Sequence, residues 1–217
     1  MAKKEFTFSD LNKTLTSLNE VGGIMEDNDF SEINSFTSMG NYVLNACISG
    51  DIFGGMPNNR SMSVAGDSGT GKTFLALNLT REWVNDGYNV IYYDTENAVD
   101  EETMSKFGID TSKVRYEPVD TVFRFKHLVK KTTTKIREAK EDGYEVPKVA
   151  MVLDSLGNLA TVKEHEDAEE GENKVDMTRA KQLKSTFRIM TMELARLKIP
   201  LFITNHTYAS MSLYGKP

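Results

Sequence analysis

Residues 66–73 read Gly-Asp-Ser-Gly-Thr-Gly-Lys-Thr: a glycine, four free positions, then Gly-Lys-Thr. Glycines permit backbone turns that a Cβ would block, so successive N–H groups can face one concave surface and cradle a polyphosphate. In such a loop Gly66, Asp67, Ser68, Gly69, Thr70 and Gly71 wrap the anion. Lys72 sets a point charge beside the β- and γ-phosphates, and Thr73 offers a hydroxyl to Mg²⁺.

The flanks agree with this reading. Ser61-Met-Ser-Val-Ala65 alternates as a strand entering the loop does. From Phe74 onward, Leu75, Leu79 and Trp83 recur at the spacing of one helix face. Strand, loop and helix stand in the order a phosphate site needs, and the helix N-terminus adds partial positive charge. A Gly-rich turn that fits by chance is the alternative, and it explains none of the flanks.

With 39% hydrophobic and 27% charged residues, a packed core is expected rather than disorder. The net charge of −6 argues against a non-specific nucleic-acid binder, so any such role needs a local basic patch. Cys47 is the single cysteine, which excludes an internal disulfide and fits a reducing compartment. No apolar run reaches the ~18 residues of a membrane span, and Met-Ala-Lys-Lys-Glu-Phe lacks a signal-peptide core. A cytoplasmic protein that does not engage membranes is expected.

Along the chain, residues 1–36 differ in character from the rest. Ser9 can cap a helix with Leu11, Leu15 and Leu18 on one face, ended by Gly22-Gly23. That helix can fold onto its own core or onto a neighbouring subunit. A second helix is expected over 39–48, and a turn-rich approach over 50–59. Strands follow at 89–94, 114–119, 148–154 and 201–204. Helices are expected at 103–107, 121–142 (closed by Gly143) and from Asp176 to about Lys198. Strands alternating with helices define an α/β fold, a mostly parallel sheet covered on both faces.

In such sheets ligands bind beyond the carboxyl ends of the strands. Asp94-Thr-Glu96, Asp154-Ser155 and Asn205-His206 all fall there. Asp154, closing an apolar strand, suits the water shell of a Mg²⁺ beside Thr73, the alternative being a turn or cap aspartate. Glu96 reads equally as a general base near the γ-phosphate or as a solvated loop carboxylate. His206 can donate to a phosphate oxygen, although a lone histidine is more often structural.

Several segments together resemble the UvsX-like phage recombinases, members of the RecA family of strand-exchange ATPases. They are Asp154-Ser-Leu-Gly-Asn-Leu-Ala160, Asp176-Met-Thr-Arg-Ala-Lys181, Lys184-Ser, Phe187-Arg-Ile189 and Asn205-His-Thr-Tyr208. Leu44-Asn-Ala-Cys-Ile-Ser-Gly50 and Gly54-Gly-Met56 add to them. The resemblance runs from about Asn41 to Tyr208 and implies a RecA-like P-loop ATPase core preceded by a short N-terminal helical element.

The resemblance also implies roles. Lys72 and Thr73 match the Walker A lysine and hydroxyl, Asp154 the Walker B aspartate, and Glu96 the catalytic glutamate. His206 matches the γ-phosphate sensor, with Asn205 beside it. ATP is the implied nucleotide, with Mg²⁺. Residues 1–36 match a filament-forming element that packs on a neighbour, and residues 37–217 the ATPase core. The implied function is ATP-dependent recombination and repair on single-stranded DNA, as a filament in the host cytoplasm, with ATP hydrolysed to ADP or AMP. Single-strand-binding and loader proteins are implied partners.

Residues 156–174 match the family's first DNA loop, yet Glu164, Glu166, Asp167, Glu169, Glu170 and Glu172 make them acidic, as in a solvated flexible loop. Arg179, Lys181, Lys184 and Arg188 on the following helix suit a DNA backbone better, or form an ordinary solvated face. Family members continue past the point matched by Pro217. The chain therefore reads as the N-terminal part of a recombinase, truncated at the C-terminus, with an open sheet edge expected. A RecA-fold helicase, a regulatory NTPase and a non-hydrolysing ATP-binding fragment remain the alternatives at this point.

Overall fold

Three strands written as apolar runs set the centre of the molecule. The computed structural model describes residues 5–19, 22–27, 32–170 and 178–207. It divides into two compact units, Met1–Ile33 and Asn34–Pro217. The first contains helix α1 (Phe8–Leu18) and a 3-10 turn (Met25–Asp27). Its cap is Thr7 rather than Ser9. The Thr7 Oγ1 accepts from the Asp10 N–H at 3.3 Å, and the Thr7 N–H donates to Asp10 Oδ2 at 3.1 Å. That reciprocal pair fixes the start of the helix two residues earlier than a cap at Ser9 does. The helix ends at Asn19, before the two glycines.

In the second unit, β1 (Phe36–Thr37) pairs antiparallel with β2 (Met56–Pro57) around α2 (Tyr42–Ser49). The sequence gives no sign of this two-residue ladder within the turn-rich approach. Asn41 Oδ1 accepts from the Val43 and Leu44 N–H groups at 2.9 and 3.1 Å and so starts α2. Met39, expected inside that helix, instead donates its N–H to Asn45 Oδ1 at 2.8 Å.

The main sheet follows: β3 (Ser61–Gly66), α3 (Lys72–Asn85), β4 (Asn89–Asp94), α4 (Glu101–Lys106) and β5 (Val114–Pro118). Then come α5 (Val122–Glu141), β6 (Val149–Asp154), α6 (Val162–Glu169), α7 (Arg179–Leu197) and β7 (Leu201–His206). The five strands are all parallel, in the order β3-β7-β6-β4-β5. Among the described residues β3 and β5 form the edges.

Alternation along the inner strands builds two cores. Val90, Tyr92, Ala150, Val152 and Phe202 face α3, with Leu79 and Trp83. Tyr93, Met151, Leu153, Leu201 and Ile203 face α5 and α7, with Phe125, Val129, Met190 and Leu194. Trp83 is fully buried, and its indole N–H donates to Asn58 Oδ1 at 3.3 Å. Trp83→Ala is expected to cost about 4 kcal/mol in urea unfolding, through lost burial, a cavity and an unpaired acceptor. A loss below about 1 kcal/mol contradicts this packing.

The acidic stretch expected as a flexible loop is more ordered than that. Leu156–Asn158 is a 3-10 turn and α6 is helical. Thr161 and Glu164 cap α6 reciprocally: the Thr161 N–H reaches Glu164 Oε2 at 2.7 Å, and Thr161 Oγ1 accepts from the Glu164 N–H at 3.1 Å. Glu172, the expected cap Asp176, and Tyr208 lie outside the described residues.

Candidate active site

The crossover from β3 to β4 skips two positions, and β6 and β7 fill them. Every polar strand end therefore comes to one line. Gly66 is level with His206 across β3 and β7, and Asp94 with Asp154 across β4 and β6.

The phosphate loop leaves β3 at Gly66 and enters α3 at Lys72. Gly69 and Gly71 hold φ of +77° and +88°, a region that strains any residue with a Cβ. Asp67 to Gly71 are exposed, and Gly71 caps α3 without any side-chain hydrogen bond. The first N–H groups of α3 are thus left for an anion, unlike those of α2, α4 and α5, which Asn41, Asp100 and Thr121 satisfy. Lys72 is buried, and its Nζ donates to the carbonyls of Gly66 at 2.9 Å and Asp67 at 2.7 Å. The end of β7 holds the loop from the other side. The Thr207 N–H reaches Gly66 O at 3.2 Å, and its hydroxyl reaches Asp67 Oδ1 at 2.6 Å.

Asp154 is buried at the end of β6. Its Oδ2 accepts from the Tyr92 hydroxyl at 2.9 Å, and its Oδ1 accepts from the Thr204 hydroxyl. Burial, and then the charge of Asp154, push the Tyr92 phenol well above its usual range, so it stays a donor. Each carboxylate oxygen keeps a second lone-pair site for water. Among the described residues no cluster of three or more His, Cys, Asp or Glu is placed to hold a metal by itself. Thr73 and Asp154 thus fit a Mg²⁺ that takes its other ligands from phosphate and water.

Glu96 lies on the loop after β4. Its Oε1 accepts from the Ser155 hydroxyl at 3.0 Å and lies 3.0 Å from His206 Nε2. Oε2 has no hydrogen-bond partner among the described residues. The hydrogen bond from His206 holds the Glu96 carboxyl below the usual range; burial opposes it, and the Ser155 hydrogen bond and the charges of His206 and Lys72 add to the lowering. Glu96 is therefore an ionised carboxylate with one anchored oxygen and one available oxygen. Asp94 organises this loop. It is buried, and it accepts from the N–H groups of Glu96 at 2.8 Å and Val99 at 3.2 Å and from the Tyr116 hydroxyl at 3.1 Å.

The structure brings Glu96, His206, Asp154, Lys72, Thr73 and the loop glycines to one end of the sheet. The four basic residues of α7 do not act alike. Lys181, Lys184 and Arg188 are exposed. Arg179 is half-buried and turned onto backbone carbonyls. Ser155, Tyr92 and Thr204 were not singled out as supports from the sequence. A hydroxyl at a strand end carries no signal until its neighbour across the sheet is known.

The family profile described as "ATPase: KaiC" matches residues 44–198. The chain belongs to this family of ATPases. It is 31% identical to the "Recombination and repair protein" of Enterobacteria phage T4 over 80% of its length. It is 25% identical to "Protein RecA" of Helicobacter pylori over 76% of its length, and 26% identical to the mitochondrial "DNA repair protein recA homolog 3" of Arabidopsis thaliana over 82%. The resemblance to RecA-type recombinases thus stands. The chain spans 43%, 44% and 38% of those three proteins. Among the described residues no helix is long and apolar enough to cross a membrane.

Proposed function

We propose that this chain binds Mg-ATP and hydrolyses it within a recombination and repair protein that acts on single-stranded DNA. One observation carries the reading. A phosphate loop, a buried strand-end aspartate and an ionised glutamate anchored by His206 occupy the ends of four neighbouring strands.

The loop N–H groups and Lys72 hold the β- and γ-phosphates, and Thr73 and Asp154 are the residues that would hold Mg²⁺. The ion, when bound, neutralises charge that develops on the phosphate oxygens. Glu96 Oε2 orients the attacking water and accepts its proton as the water oxygen bonds to the γ-phosphorus and the bond to the β-phosphate oxygen breaks. ADP and phosphate are the products. His206, beside Glu96 and level with Gly66 at the start of the loop, would sense the γ-phosphate.

Exposed Lys181, Lys184 and Arg188 would follow the DNA backbone. The apolar row of α1, with Leu11, Leu15 and Leu18 all exposed, suits packing on another copy in a filament. Single-strand-binding and loader proteins would act on that filament.

The DNA arm is tested by fluorescence anisotropy of a labelled oligonucleotide across a salt series. Changing Lys181, Lys184 and Arg188 together to Glu is expected to weaken binding at least about tenfold and to flatten the salt dependence. Equal affinity and slope in the triple variant would remove α7 as the DNA surface.

A further inference from the structure

Arg179 is the first residue of α7, and its guanidinium serves one turn of backbone. Its Nε donates to Leu159 O at 2.8 Å, and its Nη2 donates to Gly157 O and, at 3.4 Å, to Leu156 O. A planar fork of five donors can span three carbonyls at once, which a lysine ammonium on its flexible stem cannot do with the same geometry.

That turn begins directly after Ser155, whose hydroxyl holds Glu96 Oε1 at 3.0 Å. It also abuts the end of β7. A Cβ on Gly157 would sit 3.3 Å from Asn205 Oδ1 and 3.6 Å from His206 Cδ2. His206 is the second side-chain partner of Glu96 Oε1. Both side-chain partners of Glu96 Oε1 therefore adjoin a turn whose carbonyls converge on Arg179, and Ser155 is held in addition by Thr95, whose Oγ1 accepts from the Ser155 N–H at 2.8 Å.

We propose that Arg179 is a positioning residue that ties the start of α7 to the turn behind Glu96, so that nucleic acid engaged on α7 is felt at Glu96. It rests on the ATPase reading above. Lys181, Lys184 and Arg188 face solvent on the same helix, whereas Arg179 is committed to protein carbonyls. A pull on α7 reaches the turn through Arg179. From the turn it reaches Glu96 by two routes, Ser155 and His206.

Arg179→Lys in the full chain separates positioning from phosphate contact, because it keeps the charge and loses the fork. Oligonucleotide affinity and the KM for ATP are expected to stay within about twofold of the wild type. The kcat in the presence of single-stranded DNA is expected to fall about tenfold through misplacement of Glu96. An unchanged kcat overturns the proposal. So does an Arg179→Ala variant that loses DNA affinity and kcat in parallel while Arg179→Lys restores both, since that marks a phosphate contact. If the wild type releases no phosphate, the ATPase reading fails by itself. Amide hydrogen exchange then still decides the role of Arg179. Faster exchange at Ser155 and Leu159 in Arg179→Lys supports it, and unchanged exchange overturns it.

Discussion

Glu96→Gln is expected to slow ATP hydrolysis about a thousandfold, about 4 kcal/mol of transition-state stabilisation, with ATP affinity within about twofold of the wild type. The asymmetry follows from the two oxygens. Oε1 is engaged by Ser155 and His206, and a glutamine carbonyl can accept the same two bonds, so the loop stays in place. Oε2 becomes an amide, which donates where the carboxylate accepted and cannot take a proton from water. Single-turnover hydrolysis, with nucleotide binding measured separately, tests both halves. A variant that hydrolyses ATP within about fivefold of the wild type would leave Glu96 as a structural carboxylate.

The same carboxylate gives the rate a pH signature. Its pKa is lowered in the folded chain, chiefly by the His206 hydrogen bond. The base therefore stays ionised to lower pH than an ordinary glutamate does, and the decline of turnover on acidification, read from a pH–rate profile, is shifted in the same direction. The sign for stability agrees. A depressed pKa contributes stabilisation above the unfolded value, and this is lost as pH falls through the folded one.

Lys72→Ala is expected to weaken ATP binding about a hundredfold, about 2.7 kcal/mol, and to reduce turnover further. Stability should change little, for a reason visible in the loop. The two carbonyls that Lys72 serves keep other donors: Gly66 O accepts from the Thr207 N–H at 3.2 Å, and Asp67 O from the Thr70 hydroxyl at 2.8 Å. Removing the ammonium therefore strands no buried acceptor. Fluorescent-nucleotide titration beside a urea melt is the check. Affinity within about threefold of the wild type would mean that Lys72 serves the loop alone.

Some of this was legible in the sequence. The inner strands are buried on both faces and so are written as unbroken apolar runs, which is why 89–94 is found to the residue and β6 to within one. The phosphate loop carries its own pattern, because glycines at fixed places are what its backbone needs. Caps were harder. Ser9 and Thr7 both suit an N-cap, and only the Thr7–Asp10 pair decides. The hydrogen bonds at Glu96 were out of reach, since Ser155 and His206 lie 59 and 110 residues away along the chain and meet it through a strand order that periodicity does not encode. Arg179 shows the same limit. Its partners are carbonyl oxygens, which every residue has, so its charge suggested phosphate while its geometry serves backbone.

Phosphate release from Mg-ATP by the full chain, with and without single-stranded DNA, tests the central reading most directly. A recombination-type ATPase should turn over faster with DNA, and Glu96→Gln should abolish that turnover. Release no greater than that of Glu96→Gln in both conditions would contradict it.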